Sequence, residues 1–330
     1  MKITILSIIS ILIVLLIFKG CAKYIGIPKK VAAQNLEAYL LKKYDGKLVF
    51  SDLSLFFNAA TMDPNMYGVL IYDKDIPEIQ FYTHLNLKHI LENDSLPMYP
   101  TSDNMTVDDL YQDALIRYEV RQGVRTDFKA EIPEIIFSTE AIHLDFKRDV
   151  KSEVLNDVVT RFIDRLNEHY DVLNTGYQFR LLIKTASHPD GFLIIPLDIE
   201  DSKRKPEPMV LSENVSGFTS LKTMILKHIN SKLEVAYPYF KVTENSKIYM
   251  DKSTLSRGAW VQYLEDKRIK NNGNGKWRNP QTGIYVVYFD LDTQFIYRSE
   301  LLTDENDTTS YTEELRQIVS SIETEGIRTK

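Results

Sequence analysis

Residues 3–18, ITILSIISILIVLLIF, form an uncharged, overwhelmingly apolar run of 16 between Lys2 and Lys19. A segment of about 20 apolar residues spans a bilayer, and one of about 7–15 forms the core of an export signal. The run falls between these two lengths. It therefore puts the N-terminus in a membrane and leaves the folded body to begin after it.

Gly20 and Cys21 follow. With them the segment resembles a bacterial lipoprotein signal peptide, in which a small residue precedes the cysteine that becomes the lipidated first residue of the mature chain. Phe18 and Lys19 stand where that pattern usually has aliphatic and small residues, and the resemblance covers residues 1–21 of 330. It implies lipid attachment at Cys21 and export to the cell envelope. Cys21 is the single cysteine, so the body can form no internal disulfide and no cysteine-based metal site, and a thiol-free body suits an oxidising compartment. Two other readings stay open: an uncleaved anchor with an exported body, and, because Lys19, Lys23, Lys29 and Lys30 follow the run, an anchor with a cytoplasmic body. In all three the protein is attached to a membrane. If Cys21 is the anchor, the tether to Pro28 reaches only about 25 Å, which holds the body close to the lipid.

The rest of the chain has globular composition, with 44% hydrophobic and 26% charged residues, and is long enough for more than one domain. A net charge of −6 and a pI near 5.6 argue against a protein built to wrap nucleic acid. The patterning predicts an α+β fold of two or three helix-plus-antiparallel-meander units behind the anchor. The expected divisions are 1–28 for the anchor and tether, then units at 29–100, 101–207 and 208–330. A helix is expected over 29–44, stopped by Asp45-Gly46, with strands following at 48–57, 66–72 and 79–87. Thr106 to Asp109 resembles a capping box and opens a helix towards Gly123. Strands at 134–138 and 141–146 precede a long amphipathic helix over 152–174, and a hairpin follows at 177–185 and 192–199. The charge and proline of residues 201–208 read as a linker. Beyond it come a helix at 218–232 and strands at 233–242, 284–291 and 295–302, with 253–270 open between helix and strand. Ser310 to Glu313 forms a capping box ahead of Leu315, Ile318, Val319 and Ile322 at helical spacing, so a terminal helix is expected to pack on the body. A faint likeness links 41–48 to 226–233, each read as a helix end entering a strand.

No G-x-S-x-G elbow, H-E-x-x-H pair, phosphate loop or EF-hand calcium loop occurs. Ser202 and Lys205 have the S-x-x-K spacing, but Pro206 and Pro208 prevent the helix that spacing needs. His89 with Glu92, His143 with Asp145, and Asp290 with Asp292 share local faces, as structural or solvated polar residues commonly do. No cofactor and no metal are expected. The candidate partner-binding residues are Lys267, Arg268, Lys270, Lys276, Trp277 and Arg278, which bring cations and one of the two tryptophans around an Asn-Gly core. The expectation is an exported, membrane-anchored envelope protein whose body is a non-catalytic binding or protective module of immunity, assembly or sensing type. Its partners would be the membrane and a protein or envelope ligand, with no nucleic acid. The alternative is a membrane-attached hydrolase whose site is assembled from distant segments. A structure separates the two if titratable groups converge on one reacting atom in a deep pocket.

Overall fold

Pro28 precedes and Asp45-Gly46 ends a helix, α1 (Lys29–Tyr44), in which Asp45 takes a left-handed φ of 52° and returns its N–H to Leu41 O. The computed structural model describes residues 26–56, 63–94, 96, 105–173, 179–268 and 281–303. After α1 come β1 (Leu48–Leu55), β2 (Met66–Asp73) and β3 (Gln80–Asn86), a three-stranded antiparallel meander in the order β1-β2-β3. Leu36 and Leu40 of α1 pack with Val69, Ile71, Phe81 and Leu85 of the sheet. The start of α2 (Val107–Phe128) closes the same core through Val107, Leu110 and Ala114. Thr106 and Asp109 cap that helix reciprocally, with Asp109 standing where Glu is more usual: the carboxylate accepts from the Thr106 amide at 2.7 Å, and the Asp109 amide donates back to Thr106 Oγ1 at 3.4 Å.

The remaining elements are β4 (Glu134–Phe137), β5 (Ile142–Asp145), α3 (Ser152–Glu168), α4 (Tyr170–Leu173), β6 (Arg180–Lys184), β7 (Leu193–Glu200), β8 (Lys203–Pro206), β9 (Val210–Leu211), α5 (Phe218–Ala236), β10 (Phe240–Met250), β11 (Arg257–Asp266), β12 (Gln281–Asp290) and β13 (Ile296–Thr303). Their ten strands form one sheet ordered β13-β12-β11-β10-β9-β7-β6-β5-β4, with β8 paired to β7. Among the described residues only β5 and β6 pair in parallel, with α3 in the crossover that such a pair needs; the other pairings are antiparallel. The fold is α+β, and a helix followed by an antiparallel meander occurs at α1-β1-β2-β3 and again at α5-β10-β11-β12-β13. Gly217 opens α5 at φ +81°, a left-handed position that a side chain would strain.

The chain divides into two compact units, one ending at Arg121 and the other beginning at Gln122. The expected linker at 201–208 is instead an edge hairpin: Leu197 to Glu200 pair with Pro206 to Lys203, and the sheet continues through β9. Charge and proline are also what an edge strand tolerates, so composition alone did not distinguish the two. The boundary between the two units falls within α2. The long helix stops at Glu168, and residues 233–236 and the whole of 226–233 belong to α5, so the likeness between 41–48 and 226–233 has no structural counterpart. Residues 1–25, with Cys21, and 304–330, with the expected terminal helix, lie outside the described residues. Among the described residues no helix is long and apolar enough to cross a membrane.

Candidate functional site

Pro206 and Pro208 lack amide donors, so between β8 and β9 the chain makes a detour held to the sheet through the Glu207 amide, which donates to Pro196 O at 2.9 Å, and Met209 O, which accepts from the Met250 amide at 2.9 Å. That detour borders a cleft of about 200 Å³ whose other walls are α3, β7 and the end of β10. Val159, Ile195, Met209 and Met250 give it an apolar lining, while Asn156, Glu207, Tyr249 and Lys252 supply polar groups. Two hydrogen bonds fix α3 to the far end of β10: Asn156 Nδ2 donates to Lys252 O at 2.8 Å, and Ser152 Oγ to Ser253 O at 2.7 Å. Tyr249 is buried, and burial together with Tyr263 and Glu207 pushes its hydroxyl up to about 12, so it remains a neutral donor at physiological pH. Among the described residues that hydroxyl has no hydrogen-bond partner, and Glu207 and Lys252 have no ion-pair partner. An apolar lining with three unengaged polar groups suits recognition of a partner group.

A second cluster joins α5 to β12 and β13. His228 Nε2 lies 3.0 Å from Ser299 Oγ, which in turn lies 3.1 Å from the Tyr285 hydroxyl. Burial, reinforced by the charge of Lys232, holds the pKa of His228 below the ordinary 6.5, so its imidazole is neutral at pH 7 and able to accept a proton. Two titratable groups thus converge on one hydroxyl. Among the described residues no group hydrogen-bonds His228 Nδ1, and neither Ser299 nor His228 lines the cleft. What the arrangement does physically is pin a helix to a sheet; a nucleophile would also need its base oriented and a place for substrate.

The residues singled out in the sequence are placed as follows. Lys267 Nζ donates to Pro238 O at 3.2 Å. Arg268 grips the Asp266 carboxylate through Nε at 3.0 Å and Nη2 at 2.6 Å, and its guanidinium lies 3.6 Å from the Tyr239 ring centroid. Both cations are therefore engaged in the turn that ends β11. Lys270, Lys276, Trp277 and Arg278 lie outside the described residues. His89 and Glu92 form an exposed pair at 3.6 Å, and among the described residues no group of three or more His, Cys, Asp or Glu is placed to hold a metal. Asp290 caps the β12–β13 turn by accepting from Thr293, and Ser202 sits at φ 56° in the β7–β8 turn. The cleft escaped the sequence reading because its walls come from four separate segments. The one local signal was the Pro-Glu-Pro of 206–208, taken there as linker composition.

No family model matches the chain, and no curated protein does. Among solved structures it aligns with the Bacillus megaterium YpeB C-terminal domain at 12% identity and a TM-score of 0.15, over 85% of this chain and 100% of that one. A likeness that slight carries no argument about fold or function.

Proposed function

We propose that the protein is a bacterial envelope protein, exported and held at the membrane through Cys21, whose body is a non-catalytic binding module that docks a protein partner at the cleft between α3 and the 206–209 detour. The observation carrying this reading is the cleft itself. Its volume of about 200 Å³ is below the roughly 300–1,000 Å³ of small-molecule sites, but it is enough for one large anchoring side chain. Met209 and Met250 can adjust around such a side chain, while Glu207 and Lys252 offer both charge signs to the surrounding contact.

The test uses the full-length chain in its native membrane, with a photo-reactive residue in place of Met209. One discrete cross-linked protein is expected, and the Glu207→Lys and Lys252→Glu double variant should reduce its yield roughly ten-fold or more, since one good anchor commonly exceeds 1.4 kcal/mol. A yield no greater than that from the same probe at exposed Lys241 would reject the cleft. In the same assay Lys276→Ala, Trp277→Ala and Arg278→Ala together decide whether the loop after β11 also contributes. Membrane attachment is tested separately: uptake of a fatty-acid analogue should vanish in Cys21→Ala, whereas a wild-type chain that stays membrane-bound without label would leave residues 3–18 as a plain anchor.

The hydrolase reading draws its support from the His228–Ser299–Tyr285 cluster. A fluorophosphonate probe that labels Ser299, with labelling lost in His228→Ala, would replace the binding reading with the catalytic one.

A further inference from the structure

A strand at the edge of a sheet exposes unpaired amides and carbonyls that invite another strand, and several edges of this fold are guarded against it. β1 shifts register between Ser51 and Ser54, with Asp52 at φ 54°. The outer edge of β4 is capped by Arg125 Nε, which donates to Ile135 O at 2.9 Å. On β8 the Asn167 side chain accepts from the Arg204 amide at 2.7 Å and donates to the Arg204 carbonyl at 2.9 Å. β3 carries no such guard. It pairs with β2 without a register shift, and the flanking bonds, from the Asp73 amide to Ile79 O at 2.9 Å and from the Leu87 amide to Asn65 O at 3.1 Å, set its odd-numbered residues towards β2. The amides and carbonyls of Gln80, Tyr82, His84 and Asn86 therefore point outward. Among the described residues no hydrogen bond engages them.

This edge suits a second copy of itself. Between Gln80 and Asn86 there is no carboxylate, lysine or arginine, and burial holds the pKa of His84 below 6.5, so two such edges meet at pH 7 without charge repulsion. Tyr82 leans back over its own sheet: a Cβ at Gly68 of β2 would stand 2.0 Å from its hydroxyl, so the ring leaves the edge unscreened. An antiparallel pairing about a two-fold axis at Thr83 sets Tyr82 of one copy opposite His84 of the other, and Gln80 opposite Asn86. All the outward residues then exchange paired hydrogen bonds, about eight in all. Beyond the strand ends the same register brings exposed Glu78 of one copy level with exposed Lys88 of the other, on both sides of the axis. Thr83 itself is 1% exposed, and among the described residues its hydroxyl has no hydrogen-bond partner; opposite its own copy, the two hydroxyls can bond each other. We propose that the chain forms a symmetric dimer through β3, in which the three-stranded sheets of two copies join into one continuous sheet.

The experiment uses the full chain in detergent, in a Cys21→Ser background, so that an introduced cysteine is the sole thiol. Thr83→Cys should form an intermolecular disulfide on mild oxidation, because residues facing each other across a non-hydrogen-bonded antiparallel pair have Cα atoms about 4.5 Å apart. Leu55→Cys, 62% exposed on β1, should give roughly ten-fold less dimer. His84→Pro removes an outward amide and leaves the β2 ladder intact, so adding it to Thr83→Cys should lower the dimer yield roughly ten-fold or more. Absence of the Thr83→Cys disulfide overturns the proposal, as does a yield no greater than that of Leu55→Cys or one that a folded His84→Pro variant leaves unchanged. Linkage of Thr83→Cys to a different protein in unsolubilised membranes also overturns it, assigning the edge to an extended segment of that partner. If circular dichroism shows that the proline variant has unfolded, charge reversal decides: Glu78→Lys and Lys88→Glu should each lower the yield and together restore it, and any other pattern overturns the pairing.

Discussion

Trp260→Ala is expected to lower the stability of the second unit by about 4–5 kcal/mol, near the top of the range for aromatic truncation in a core. Trp260 is fully buried on β11, which has a neighbouring strand on each side, and it stacks against Phe218 of α5. Its indole N–H donates to Gln262 Oε1 at 3.2 Å, and Gln262 Nε2 in turn donates to the carbonyls of Thr243 and Asn245, each at 2.8 Å. Those carbonyls lie where the β10–β11 register shifts between Val242 and Ser246. Truncation therefore removes the wall against α5 and leaves a buried amide acceptor without its donor, adding about 1–3 kcal/mol for the unsatisfied group. Trp260→Phe keeps most of the ring and loses only the donor, so it should cost markedly less. Urea unfolding followed by far-UV circular dichroism measures both; a loss below about 1 kcal/mol for the alanine variant would show that helix packing and bulge do not depend on this side chain.

β11 also shows where the sequence stops being readable. Trp260, Gln262 and Leu264 are buried on one face and Ala259 and Val261 on the other, so no apolar–polar alternation marks 257–266 as a strand. Helix α1 and the strands after it were legible because Pro28, Asp45-Gly46 and Asp73 to Pro77 punctuate them. The stripe of Leu155, Val158, Val159, Phe162 and Leu166 marked α3 clearly, but it gave no sign that the helix crosses between parallel strands. At the end of α5, Leu233 continues the spacing of Ile225 and Ile229 while Glu234-Val235-Ala236 reads equally well as the start of a strand; packing of the Leu221, Ile225, Ile229, Leu233 row decided for helix. The candidate sites were less legible still. Asn156 meets Lys252 across 96 positions and His228 meets Ser299 across 71, distances at which local spacing says nothing about contact.

Asp73→Ala should destabilise the first unit by about 2–4 kcal/mol, because it leaves several donors without an acceptor at once. Asp73 is 1% exposed at the end of β2. Its Oδ1 accepts from the amides of Asp75 and Ile76 at 2.9 and 3.1 Å, folding the turn that leads towards β3. Its Oδ2 accepts from the Tyr111 hydroxyl of α2 at 3.2 Å and faces Lys47 Nζ at 3.6 Å. One carboxylate thus joins a tight turn to the helix that closes the core. Burial pushes its pKa up, but the hydrogen bonds from Ile76, Asp75 and Tyr111 and the charge of Lys47 outweigh that effect and leave it below the ordinary 3.8. The sign of the pH dependence follows. With the folded value depressed, the unfolded chain binds the proton more readily, so the stabilisation is complete above 3.8 and is lost as pH falls through the folded value. Amide exchange at Ile71 and Phe81, within the β2–β3 pairing, isolates this unit from the other. In wild type the protection there should fall with acid below 3.8; in Asp73→Ala it should already be weak at neutral pH, with a shallower acid limb. Asp94, whose pKa is also depressed, keeps that limb from becoming flat. Asp73→Asn retains an oxygen for the turn amides but not the charge facing Lys47, so it should fall between the two. An alanine variant with wild-type protection and an unchanged acid limb would mean that the turn and the Tyr111 contact are held without this carboxylate.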